Sequence, residues 1–296
     1  NFSGSIGWIH KISDNLNLST NVGTSWRPPN ISELYIFGKH QSSVEYGLLR
    51  FNFDENNKVV ASNLTDNENL KIEPELGYNF LQSLEFKKNN FQWVLSSYYN
   101  YIENYIFAKP AGITNTVRGP FPYFIYVRTD ANFMGLDADV EYNGKSGIDQ
   151  KLSFNLLYAS QLNGNPLIEI PPATINYRVS FSIHNRFLDV LKMSVEPNYT
   201  FKSLNRPDII PIDDILLAEI NQVNIFESKD QVFDLKEAPR GYFLLASSVQ
   251  MSYKKFNFQL KCNNLFNTSY RIYTDRLRYF SDQTGRNFVF SLKVDL

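Results

Sequence analysis

The feature that most constrains this chain is an alternation of apolar and polar residues with period two, repeated along nearly its whole length. In a β-strand successive side chains point to opposite faces, so such a pattern writes one apolar and one polar face. At the C-terminus Phe288, Phe290, Leu292, Val294 and Leu296 fall on one face, and Asn287, Ser291, Lys293 and Asp295 on the other. Ile175, Tyr177, Val179, Phe181 and Ile183 oppose Asn176, Arg178, Ser180, Ser182 and His184. Phe256, Phe258, Leu260 and Cys262 oppose Asn257, Gln259, Lys261 and Asn263.

A soluble sandwich also alternates, so length and spacing have to decide. The pattern predicts eleven strands, near 2–12, 15–26, 73–88, 90–108, 124–143, 149–162, 173–185, 188–204, 240–254, 256–265 and 286–296. Many exceed the globular mean of about five to six residues and suit a tilted membrane span of about nine to eleven. Tight turns are expected at 13–14, 88–90, 143–147, 185–186 and 254–255, and long loops at 27–72, 109–123, 163–172, 205–239 and 266–285. Short turns at one end and long loops at the other are the outer-membrane pattern, with the long loops facing outward. The expected fold is therefore all-β, an antiparallel transmembrane β-barrel surrounded by outer-membrane lipid. Eleven antiparallel strands close only if the first and last pair in parallel, and bacterial barrels usually have even numbers. The N-terminal part of the barrel is therefore expected to lie outside this sequence, with 1–296 forming its C-terminal part.

Composition agrees. Aromatic residues make up 15% of the chain, with 24 Phe and 18 Tyr, as side chains that are apolar at one end and wet at the other would at a membrane interface. The net charge of −1 and the lack of a basic cluster interleaved with aromatics argue against nucleic acid as a partner. No apolar run reaches the length of a membrane helix, and Asn1 opens directly into strand-like sequence, as in a mature protein or an excised fragment. The single cysteine, Cys262, excludes a disulfide within the chain and a cysteine-based zinc site, and reads as a small strand residue.

Five segments, in order, resemble the motifs of the TonB-dependent receptors. Ser25-Trp26-Arg27-Pro28-Pro29-Asn30-Ile31-Ser32-Glu33-Leu34-Tyr35 resembles that family's FRAPxxxELY signature. Asn69-Leu70-Lys71-Ile72-Glu73-Pro74-Glu75 is similar to NLKPE at the start of a strand. Thr129 to Glu141, with Asn132 and Gly135, Asn264-Leu265-Phe266-Asn267 with Tyr270, and Gly285-Arg286-Asn287-Phe288 resemble three further family segments. The resemblance implies a barrel of about 22 strands, of which this chain would be the second half. It also implies a plug domain that meets TonB and that is not part of this chain. Each motif has a structural reading too: Arg27-Pro28-Pro29 leaves a strand, Asn264 to Asn267 is turn chemistry, and Gly285 is expected at positive φ.

Phe37 to Gly47 resembles the GxHxxxxxxEhG loop of a receptor subgroup that includes zinc and copper importers, although only four residues here separate His40 from Glu45. His40 and Glu45 are candidate metal ligands, an imidazole and a carboxylate, and Tyr46 joins them as a candidate ligand contact. The other reading is that His40 packs or caps the loop. His10 and His184 read as wet strand residues. The 205–239 segment is acidic, with Asp208, Asp213 and Asp214 among its carboxylates, and reads as a calcium-binding segment, as a substrate lid or as a solvated loop folded on its neighbours. Asn155, Asn176, Arg178, Lys192, Glu196, Asn198, Gln259, Lys261 and Lys293 are expected on the inner face.

No G-x-S-x-G, P-loop or H-E-x-x-H occurs, and the three histidines form no local triad pattern, so neither an enzyme nor a cofactor is expected. The function implied is TonB-dependent import of a scarce solute such as a metal ion or a siderophore. A passive porin or a surface adhesion barrel is the alternative.

Overall fold

A computed structural model describes residues 2–53, 55, 59–61, 72–144, 146–183, 189–204 and 238–295. In chain order the elements are β1 (Gly4–Ser13), β2 (Leu16–Arg27), the short helix α1 (Ile31–Tyr35), β3 (Phe37–His40), β4 (Ser43–Tyr46), β5 (Phe51–Phe53) and β6 (Val59–Ala61). There follow β7 (Glu75–Lys88), β8 (Phe91–Thr116), β9 (Gly119–Asn143), β10 (Ile148–Gln161), β11 (Thr174–Ile183) and β12 (Val190–Thr200). Last come β13 (Tyr242–Tyr253), β14 (Phe256–Asn263) and β15 (Asn287–Val294). The long strands β1, β2 and β7 to β15 form one sheet, each paired antiparallel with the next. These are the eleven strands expected from periodicity. β3 and β4 attach to the same sheet, which makes thirteen strands in all, and β5 pairs with β6 apart from it.

Register puts like with like. Ile148, Phe181, Met193, Val249, Leu260 and Phe290 line up across six strands. Every one is exposed, from 37% to 66%. An uncovered apolar row of this length is the face a membrane barrel shows to lipid. The other face is polar and satisfied across strands: Gln92 and Lys151 both donate to Glu141, at 2.6 and 2.7 Å. Ser153 donates to Asp139, Asn155 to Asp137 and Asn198 to Asn176, while Arg178 pairs with Glu196.

The tight turns share one end of the sheet. Asn89 (φ 55) and Lys254 (φ 51) take the left-handed backbone that two-residue hairpins require. The expected turn at 185–186 and His184 lie outside the described residues, as do Asn63 to Lys71 and 205–237 with their acidic cluster. His10 is exposed on β1, and Cys262 is a buried residue of β14.

At the other end one expectation fails. Residues 109–123 are not a loop: β8 and β9 continue as a hairpin to a turn at Val117-Arg118. Its prolines and glycines read as loop chemistry. A bulge between Pro110 and Gly112 takes up the irregularity, and Gly119 (φ 101) turns the chain. Burial outweighs propensity here, since Pro110, Pro122 and Phe124 are each under 2% exposed. The loop expected at 27–72 is likewise structured where described, holding α1 and β3 to β6.

Three buried apolar clusters form among the described residues, all at this long-connection end. Phe51, Ala111 and Ile125 form one, Ala108, Phe124 and Ile168 the second, and Ala131, Ala159, Leu167 and Ile170 the third. The first two hold neighbouring residues of β9, Ile125 and Phe124, so both faces of the extended hairpin are covered by loops.

Candidate functional site

The connection between β2 and β7 begins and ends at one clasp. Arg27, the last residue of β2, grips Glu75 of β7 with Nε and Nη2 at 2.8 and 2.6 Å, and reaches Glu33 of α1 with Nη1 at 3.0 Å. Glu33 also closes a capping box with Asn30, which fixes the start of the helix. Arg27 and Glu33 of the first motif thus meet Glu75, the end of the second, and the work of these residues is structural. So is that of the last two motifs: Asn264 exchanges two hydrogen bonds with Thr268, each 2.8 Å, and Asn267 accepts from the Arg286 backbone at 2.8 Å. Gly285 lies outside the left-handed region, contrary to expectation. Its place allows close approach instead: a Cβ there would sit 2.5 Å from Asn267 Oδ1 and push aside the oxygen that accepts from Arg286.

Beyond α1 the β3–β4 hairpin turns at Gln41 (φ 49), and β4 joins the sheet by parallel pairing, Val44 with Tyr123, Glu45 with Phe124 and Tyr46 with Ile125. That pairing carries Glu45 inward, to 5% exposure. Its Oε1 accepts from Ser43 Oγ at 2.8 Å and from Arg276 Nη1 at 2.5 Å, and its Oε2 accepts from Tyr126 at 3.2 Å. Arg276, on the 3₁₀ turn Arg276–Tyr279, also holds Glu169 through Nε at 2.9 Å and Nη2 at 3.2 Å, and lies 4.1 Å over the Phe124 ring. Charges this buried persist because each is paired and hydrogen-bonded.

The electrostatics follow from that packing. Burial, and then the Glu45 carboxylate, push the Tyr126 hydroxyl up to about 12. Burial works against the Arg276 charge, but Glu169 and Glu45 more than offset it and hold the guanidinium above its ordinary value.

Register puts His40, Ser43 and Glu45 on one face of the hairpin, yet the structure separates their surroundings: His40 is exposed at the tip, whereas Glu45 is enclosed by three donors. A cation at Glu45 would have to compete with Arg276. Among the described residues no three His, Cys, Asp or Glu side chains group closely enough to share a metal ion. Tyr46 is half-buried against Phe37 and Tyr123. Arg276, Glu169 and Tyr126 were not singled out from sequence. Arg276 lies 231 residues from Glu45 and 107 from Glu169, so no local pattern joins them.

The polar face also holds a cavity of about 770 Å³. Asn155, Asn176, Arg178, Glu196 and Asn198, all expected on the inner face, line it from the wall, and Tyr270 and Gln283 line it from the loop between β14 and β15. Lys192, Gln259, Lys261 and Lys293 do not border it. Amides and a guanidinium offer donors and acceptors to a polar solute or to a polar protein surface.

The sequence matches the family described as "TonB dependent receptor-like, beta-barrel" over residues 1–265. No curated protein matches. Among solved structures, the chain is similar to the copper transporter OprC, with a TM-score of 0.67 and 14% identity over 99% of this chain and 39% of that one. It is also similar to the siderophore receptor PirA from Acinetobacter baumannii, with a TM-score of 0.65 and 15% identity over 99% of this chain and 41% of that one. A third is the FrpB iron transporter from Neisseria meningitidis, with a TM-score of 0.61 and 12% identity over 99% and 39%. The chain spans about two fifths of the length of these proteins. With its exposed apolar rows and satisfied polar wall, the chain belongs to the TonB-dependent receptor β-barrel family.

Proposed function

We propose that the chain is the C-terminal part of the barrel of an outer-membrane importer, which takes up a scarce solute such as a metal ion or a metal chelate using energy delivered through TonB. A plug domain and the N-terminal barrel half, both outside this chain, complete it. The long connections face the exterior and the tight turns the periplasm. The observation that carries this reading is the cavity on the polar face of a family barrel, lined from the wall by Asn155, Asn176, Arg178, Glu196 and Asn198 and from the β14–β15 loop by Tyr270 and Gln283. Solved relatives described as a copper transporter and a siderophore receptor support the choice of a metal or its chelate. The mechanism is a ligand-linked shift between closed and open arrangements, with no covalent chemistry.

His40, Glu45 and Tyr46 mark the outer side of the site. His40 is the exposed candidate ligand, and Glu45 and Tyr46 set the floor on which its hairpin rests. The test is to delete the gene and measure cellular copper, iron and zinc under limitation. Import predicts a deficit in one metal that complementation restores and that collapse of the proton-motive force reproduces. Unchanged contents of all three would sink the metal reading, and uptake that survives the collapse would favour a passive pore. Metal analysis of the purified receptor and its His40→Ala variant checks the hairpin: a role for His40 predicts less bound metal, and an unchanged content discards it.

A further inference from the structure

Arg276 stands where three loops meet, and its two arms are not equal. Glu45 is enclosed, with Ser43 and Tyr126 as further donors. Glu169 is the more exposed arm, with 21% of its side chain open against 6% for Glu45. Both its oxygens face Arg276, and Tyr273 adds a contact to its backbone. Its φ of 59 is a left-handed conformation that a β-carbon disfavours. Its neighbours Ile168 and Ile170 are buried in two different clusters, so the segment is held against the roof of loops at the long-connection end in a conformation that it would not choose alone.

Arg276 is also tied to the cavity. Asp275 caps its 3₁₀ turn, accepting from the Leu277 backbone at 2.9 Å, and the other oxygen of Asp275 accepts from the Gln283 amide at 2.5 Å. Gln283 lines the cavity, and its backbone donates to Tyr270, which lines it too, at 2.9 Å. An acceptor in the cavity that drew the Gln283 amide towards itself would weaken its bond to Asp275.

The geometry points to a relay in which cavity occupancy is read at Gln283, passed through Asp275 to Arg276, and released at Glu169, so that the 162–173 segment lifts while the β3–β4 hairpin stays. The relay rests on the import reading only for what fills the cavity, and its test uses no solute. Amide hydrogen exchange is measured on the whole receptor in detergent micelles, in peptides covering 37–46 and 162–173. Glu169→Gln removes the charge of the more exposed arm and should speed exchange in 162–173 by about tenfold, leaving 37–46 unchanged. Gln283→Ala should produce the same pattern from another loop. Arg276→Gln should release both segments; if that variant does not fold, the other two decide. Unchanged exchange in Glu169→Gln overturns the clasp, and unchanged exchange in Gln283→Ala overturns the link to the cavity. Either failure leaves import standing, and a failed uptake assay leaves the relay standing.

Discussion

Glu45 shows how a single side chain changes meaning when its surroundings are known. From sequence it is a carboxylate five residues after a histidine, and the chemistry of that pair is metal chemistry. In the fold it is the enclosed partner of Arg276. Removing one member of a buried pair strands the other, so Glu45→Ala should cost about 3–5 kcal/mol. Thermal melting of the whole receptor measures this, and a variant as stable as its parent would refute the pairing. Tyr126 supplies a pH test. Its pKa is raised on folding, from 10.0 to about 12. Its contribution is therefore complete below pH 10 and is lost as pH rises towards 12, where an unfolded tyrosine is ionised and the folded one is still neutral. In Tyr126→Phe, stability should fall less steeply over that window. An identical slope would mean that the hydroxyl is not enclosed. None of this was legible in sequence, because periodicity reports which face a residue lies on and not which distant loop folds back onto it.

At the scale of elements the reading was better, and its failures are informative. Alternation located all eleven wall strands, misplacing only the far ends of β8 and β9 by more than a few residues, because one uncovered face must stay apolar along each span. It failed at 109–123, where Pro110, Gly112, Gly119, Pro120 and Pro122 carry local loop signals that tertiary burial overrides. The extended hairpin is the beam on which the roof is built, since β4 pairs with it and two of the three apolar clusters lie on it. Replacing 111–123 with Asn-Gly should therefore leave the wall intact and undo the roof. Limited proteolysis of the whole receptor should then cut within 37–46 and 162–173, while the heat-dependent gel shift of the folded barrel persists. Loss of the shift would mean that the hairpin is needed for the wall itself.

The whole molecule is constrained most by its two edges. Among the described residues β1 pairs only with β2 and β15 only with β14, and every residue of β1 is exposed. Eleven alternating strands put these edges in parallel, whereas the ladders between them are antiparallel. Each edge presents unpaired N–H and C=O groups. In hydrocarbon each such group costs several kcal/mol, so an open sheet with these edges has no stable place in a bilayer. Apolar side chains such as Ile6, Ile9, Phe288 and Phe290, each at least 66% exposed, add to the drive for a partner on either side. Residues 1–296 expressed alone should accordingly resist insertion, running on gels with the same mobility before and after heating. Supplying the remaining barrel strands as a second chain should restore the heat-dependent shift, because strands on both sides would satisfy β1 and β15 together. A protease-protected, heat-modifiable monomer of these 296 residues alone would refute the open-edge argument, and it would require β1 and β15 to close on each other in parallel.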